Sequence, residues 1–167
     1  MPTENFRRIS LDLLYPPFLE RVLEVIARCN ERGHRYIATS GYRTYGEQLD
    51  LWKLGRVLPG KQVTAARGGE SSHNFGLAVD FVRDMDLKKP GVQPSWSRAD
   101  YDVLVEECAA EGLHNGKGYD DWYHVAFPGF ETAKSLKPLH EKWVKVDGYP
   151  LDRLKQVWEL LDKGETP

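Results

Sequence analysis

Apolar positions first recur at helical spacing in Phe18, Val22, Ile26 and Cys29, behind Pro16-Pro17 and ahead of Gly33. Proline suits a first helical turn and glycine a stop, so the spacing predicts a helix over 17–32. Tyr36-Ile37-Ala38-Thr39 then reads as a short strand. Thr44-Tyr45-Gly46-Glu47 has the capping-box form and opens a helix through Leu54. Periodicity disappears between Gly55 and Glu70, a Gly-, Lys- and Arg-rich stretch that reads as a long ordered loop. Alternation returns with Leu77, Val79 and Phe81 on one face and Ala78, Asp80 and Val82 on the other. Ser97 and Asp100 start another helix, which carries Tyr101, Leu104, Val105 and Cys108 and closes at Gly112. Trp122 to Phe127 predicts a second strand, and Leu151, Leu154, Trp158 and Leu161 predict a final amphipathic helix. Elements in this irregular order, without repeats or a convincing linker, predict an α+β fold with a small antiparallel sheet flanked by helices.

Composition narrows the picture. At 167 residues and 41% hydrophobic content the chain is expected to form one globular unit with a single core. Its 23 basic and 25 acidic residues nearly cancel, for a net charge of -2. That balance gives no footprint for nucleic acid and no polybasic membrane anchor. The two cysteines, Cys29 and Cys108, are far apart and match no zinc module; each is expected on the apolar face of a helix as a small buried hydrophobe. The segment from Met1 to Arg8 has no apolar core, so no Sec signal peptide is predicted, and no stretch is long enough to insert in a membrane. Synthesis as a soluble cytoplasmic protein is expected.

Candidate chemistry concentrates in two places. His73-Asn74-Phe75-Gly76-Leu77-Ala78-Val79-Asp80 and Asp121-Trp122-Tyr123-His124 together supply two imidazoles and a carboxylate, with one carboxylate to spare. Two histidines and one carboxylate are enough to hold a catalytic zinc with one position open. The spacing from His73 to Asp80 is too long for one helical face, unlike the compact H-E-x-x-H arrangement. His73 is therefore expected at the end of the loop, Asp80 on the strand that follows, and His124 on a second strand beside it. Asp121, three residues before His124, cannot share a strand face with it in regular strand. It is expected in the turn entering that strand, angled towards the water rather than bound to the metal.

The stretch Ser71-Ser72-His73-Asn74-Phe75-Gly76-Leu77-Ala78-Val79-Asp80 resembles the S-x-H-x-x-G-x-A-x-D signature of VanY-like zinc D-alanyl-D-alanine carboxypeptidases and L-alanyl-D-glutamate endopeptidases. That group includes phage endolysins and bacterial cell-wall hydrolases. Ser40-Gly41-Tyr42-Arg43-Thr44, Glu47-Gln48, Gly55-Arg56 and Pro59-Gly60-Lys61 are similar to the same family in the same order, and Asp121-x-x-His124 matches its closing motif. The resemblance spans about residues 10 to 128 and implies a Hedgehog/DD-peptidase-like fold carrying the zinc site. It implies His73, Asp80 and His124 as Zn2+ ligands and Asp121 as general base. Arg43 would stabilise the oxyanion or hold the substrate carbonyl, with a salt-bridged scaffold arginine as its alternative.

The remaining candidates are weighed residue by residue. Gln48 has two open readings, a substrate contact and a solvated polar residue. Ser71 is expected to orient the site rather than attack, since activated water makes a serine nucleophile unnecessary. Trp122 should share a face with His124 and line the cleft. His34, His114 and His140 are read as structural or exposed histidines. His114, however, stands where endopeptidase relatives carry the tryptophan of a Trp-Gly-Gly-like segment, which makes it a candidate substrate contact. Residues 1–130 are expected to form the catalytic domain. Residues 131–167 carry none of the motifs of that resemblance; they are expected as a helical extension packed on it, the alternatives being a wall-binding or dimerisation role.

The expected activity is hydrolysis of a stem-peptide bond of bacterial peptidoglycan by a monomer, with the L-alanyl-D-glutamate bond first. D-alanyl-D-alanine carboxypeptidase activity and a non-catalytic zinc-containing wall-binding module are the alternatives. Lack of a signal peptide fits a bacteriolytic, antimicrobial endolysin released by a holin, and equally a bacterial enzyme exported by another route.

Overall fold

The computed structural model of the protein describes residues 2–136, 138 and 151–164. His140 lies outside the described residues, as does part of the expected C-terminal extension. Helix α1, Pro16–Glu31, begins on the proline pair and is followed by Gly33 at a left-handed φ of 75°. Strand β1 is Arg35–Ser40, and helix α2, Tyr45–Lys53, follows it. The capping box at α2 forms in both directions: Glu47 N–H donates to Thr44 Oγ1 at 3.1 Å, and Thr44 N–H donates to Glu47 Oε2 at 2.8 Å.

Strands β2 (Ala78–Asp84), β3 (Pro94–Ser95), β4 (His114–Gly116) and β5 (Asp121–Ala126) complete a five-stranded sheet in the order β1-β2-β5-β4, with β3 on the far end of β2. Every pairing is antiparallel. This is the α+β arrangement that the order of elements predicts. The sequence pattern does not reveal β3 or β4, because two and three residues are too few to display an alternation. Helix α3, Asp102–Glu111, starts later than Ser97 because a 3-10 turn, Arg98–Tyr101, precedes it.

The alternation of β2 sorts its side chains into two environments. Val79 and Phe81 join Tyr36, Ala38 and Val125 in one core cluster with Phe18, Val22, Ile26 and Cys29 of α1 and with Leu104 and Cys108 of α3. Cys29 and Cys108 are both buried and unpaired, as expected of small hydrophobes. Arg28 of α1 and Arg32, which caps its C-terminus, pair with Glu106, Glu107 and Glu111 of α3 at 2.6–3.0 Å and align the two helices. Asp80 belongs to the opposite face of β2, between the buried Ala78 and Val82. No described helix is long and apolar enough to cross a membrane.

Between the loop and β2 the chain makes a 3-10 turn, Ser72–Phe75, which carries His73. Gly76 closes it at φ 69°, where a Cβ would lie 2.4 Å from Leu13 O, so only glycine fits. Helix α4, Leu151–Asp162, supports this turn from behind. Its Trp158 Nε1–H donates to Phe75 O at 2.8 Å, and Asp162 Oδ1 accepts from Tyr15 OH at 2.6 Å. Leu154, Val157 and Trp158 are buried in the main core cluster.

Candidate metal centre

Asp80 and His124 are direct cross-strand partners on β2 and β5, which places their side chains together on one face. His73 reaches the same point from the 3-10 turn. Asp80 Oδ2 lies 3.3 Å from His73 Nε2, and Asp80 Oδ1 lies 2.8 Å from His124 Nδ1. Ligand atoms from the three residues all fall within 4.8 Å of one another. The His73 Nδ1–H donates to Gly41 O at 2.7 Å, which fixes the tautomer and leaves the Nε2 lone pair facing the carboxylate. Burial pushes the His73 pKa down, against the opposing pull of Asp80. Burial opposes the charge on Asp80, but His73 and His124 hold its carboxyl far below the usual range. Two imidazole nitrogens and a carboxylate, with one ring oriented by a backbone carbonyl, fit a divalent metal of the zinc type.

Arg43 closes the carboxylate from the other side. Its guanidinium donates from Nε to Ser40 Oγ at 3.0 Å, from one terminal nitrogen to Gln48 Oε1 at 3.2 Å, and from the other to Asp80 Oδ2 at 3.0 Å. One N–H on each terminal nitrogen remains for a substrate. Gln48 itself is fully buried, and its amide nitrogen donates to Thr64 Oγ1 and Ala66 O at 3.3 and 2.9 Å. Neither a solvated residue nor a direct substrate contact matches that placement. The loop between α2 and the 3-10 turn folds over Gln48 and makes it a brace between that loop and Arg43. Gln48→Ala is expected to lower stability by about 1–3 kcal/mol, the cost of stranding buried polar partners, in a urea melt. A substrate contact would instead raise KM and leave the melt unchanged.

Asn74, to which no sequence pattern points, is the most heavily bonded side chain beside the site. Its Oδ1 accepts from the N–H groups of Gly69 and Ser71, and its Nδ2 donates to the carbonyls of Arg43 and Thr44. One buried amide thus ties the Arg43 segment to the turn that bears His73. Ser71 Oγ accepts from His73 N–H at 3.3 Å and caps the same turn.

A cavity of about 520 Å³ opens beside Asp80, lined by Arg43, Thr39, Ser40, Trp96, Asp120, Trp122 and Tyr123. Trp122 therefore lines the cleft, and its indole N–H is buried without a hydrogen-bond partner among the described residues. A larger cavity of about 910 Å³ shares Thr39, Ser40 and Arg43 as a wall and continues past Arg8, Glu47 and Asp50. His114 does not line the cavity beside Asp80; it sits on β4 opposite Ala126, with Nδ1 3.6 Å from Glu131 Oε1. Its pKa is lowered by burial.

Asp121 differs from expectation in its backbone. It is the first residue of β5 rather than part of a turn, and the residue in left-handed conformation is Asp120, at φ 59°. The pairing of β4 with β5 jumps from Asn115↔Val125 to Gly116↔Asp121, so the strict alternation that separates offsets of three does not hold here. Asp121 is exposed, lies outside the His73–Asp80–His124 group, and its Oδ1 accepts from Tyr123 OH at 3.1 Å. Burial, with the Asp121 charge and hydrogen bond, pushes the Tyr123 hydroxyl up to about 12.

The family model described as VanY, D-alanyl-D-alanine carboxypeptidase, matches residues 12–113, a stretch that includes Arg43, His73 and Asp80 and stops before Asp121 and His124. The peptidoglycan L-alanyl-D-glutamate endopeptidase CwlK of Bacillus subtilis (strain 168) is 37% identical over 138 residues, 82% of this chain and 71% of the relative. Among solved structures, the L,D-carboxypeptidase DacB from Streptococcus pneumoniae aligns with a TM-score of 0.50 at 22% identity, over 86% of this chain and 85% of that one. The L-Ala D-Glu endopeptidase ChiX of Serratia marcescens aligns at 0.48 and 19% identity, over 75% of this chain and 85% of that one.

Proposed function

The chain belongs to the VanY D-alanyl-D-alanine carboxypeptidase family, and we propose that it is a zinc peptidase cleaving the L-alanyl-D-glutamate bond in the stem peptide of bacterial peptidoglycan. The convergence of His73, Asp80 and His124 ligand atoms within 4.8 Å carries the metal half of this reading. The 37% identity to an L-alanyl-D-glutamate endopeptidase supports the bond.

In this reading His73, Asp80 and His124 would hold the ion. When bound, zinc supplies a Lewis acid that polarises the scissile carbonyl and brings the pKa of water to about 7. Asp121 takes a proton from the attacking water and returns it to the leaving amine. Arg43, held by Ser40, Gln48 and Asp80, directs its remaining N–H groups at the carbonyl oxygen as negative charge develops there. Trp122 and Tyr123 wall the cavity on the β5 side. The two adjoining cavities offer an extended peptide a path across Thr39, Ser40 and Arg43.

Within the same proposal, residues 1–130 form the catalytic domain, residues 131–167 an extension on it, and the protein acts on the wall as a monomer. Bacteriolytic action as an endolysin released by a holin and export of a bacterial enzyme by another route are the two settings in which it would reach the wall. The family's own description favours a second reading, D-alanyl-D-alanine carboxypeptidase activity. Mass spectrometry of walls digested by the purified protein separates the two. New amino-terminal D-glutamate is expected, whereas free D-alanine without L-alanyl-D-glutamate cleavage would establish the second reading. A zinc-containing module that only binds the wall would release neither product.

A further inference from the structure

We propose that Asn115 is a positioning residue that holds the β5 irregularity open and so sets His124 and Asp121 in their working places. A regular antiparallel ladder continuing from Asn115↔Val125 would next pair Gly116 with His124. Gly116 instead pairs with Asp121, and Trp122, Tyr123 and His124 are left without backbone partners on β4. Unpaired backbone carbonyls at a half-buried site need donors from elsewhere. Asn115 supplies them from its side chain: Nδ2 donates to Trp122 O at 2.7 Å and to His124 O at 3.3 Å. Its Oδ1 accepts from Lys117 N–H at 2.9 Å and turns the chain out of β4.

One amide thus takes the place of a missing stretch of ladder. It holds the backbone of a proposed metal ligand on one side and shapes the turn on the other. Gly116 makes the arrangement sterically possible, since a Cβ there would lie 2.5 Å from Asp121 O and 2.8 Å from Asp121 Cβ. The β2–β5 ladder ends at Asp80↔His124, so on the β2 side no further pairing holds Asp121 to Tyr123. Beyond that point the strand is held by the Asn115 amide and the Gly116↔Asp121 pairing.

This inference rests on His124 as a zinc ligand, and its test separates the two. Zinc affinity is measured by chelator competition for the full chain, for Asn115→Ala and for Asn115→Asp. The aspartate keeps the volume and the bond from Lys117 N–H but presents an oxygen where two carbonyls need a donor. Both variants are expected to fold, with circular dichroism unchanged. Both should bind zinc about 10- to 100-fold more weakly, the range found when groups supporting a metal ligand are lost. At saturating zinc, kcat should still fall, by up to about 100-fold for an ångström-scale displacement of Asp121. Wild-type zinc affinity and kcat in either variant would overturn the proposal. Loss of folding in both would overturn it too, because the amide would then support the sheet as a whole. If the unaltered protein binds no zinc, the reading of His124 fails and the proposal falls with it.

Discussion

Asp121→Ala is expected to lower kcat by about 10²- to 10⁴-fold, the usual contribution of a positioned acid–base group, with zinc content unchanged. The asymmetry follows from placement. Asp121 stands outside the group that converges on the metal position, and its visible bond is to the Tyr123 hydroxyl. An exposed side chain of this kind contributes little to folding, so the melting transition should move by no more than about 0.5 kcal/mol. Metal analysis and steady-state kinetics on the same preparation make the comparison. Loss of zinc would make Asp121 a ligand or a support for one. Unchanged kcat with zinc retained would shift the base to another carboxylate, and Asp120, which lines the cavity, would be the first to replace.

Asp80→Ala should have the broadest consequence, removing zinc binding and destabilising the metal-free protein by about 3–5 kcal/mol. Asp80 is the common partner of Arg43, His73 and His124, and its side chain is only 13% exposed against 20% for Arg43. Removing the carboxylate leaves a largely buried guanidinium whose remaining partners, Ser40 and Gln48, are neutral. Urea denaturation of chelator-treated protein reads the stability, and a double variant with Arg43→Met tests the cause. Stability should partly return in the double variant, since the stranded charge is gone. A single variant as stable as the parent, or one that retains zinc, would contradict this account of Asp80.

What was legible in the sequence is what neighbouring residues encode. The proline pair and Gly33 delimit α1, Thr44 and Glu47 announce the start of α2, and the alternation from Leu77 to Val82 puts Asp80 on the face opposite Val79 and Phe81. The approach of His73, Asp80 and His124 was also foreseeable, because each sits in a compact motif. What was hidden depends on partners distant along the chain. Gln48 reads as polar and open until residues 64–66 fold over it. Asn74 carries no signal of its four-way bonding, since two of its partners are contributed by residues 30 positions or more away. Asp121 was placed in a turn by the rule that strands alternate, and the jump from Asn115↔Val125 to Gly116↔Asp121 suspends that rule. Register is a property of pairs of strands, and neither β4 nor β5 encodes it alone.

In the proposed function this chain cuts peptidoglycan stem peptides through a metal held by His73, Asp80 and His124. The most direct test is a zinc titration of chelator-stripped protein, with release of new amino termini from purified walls followed at each addition. No cleavage by the stripped protein and full recovery at one equivalent of zinc are expected. Undiminished cleavage by protein shown to contain no metal would contradict it.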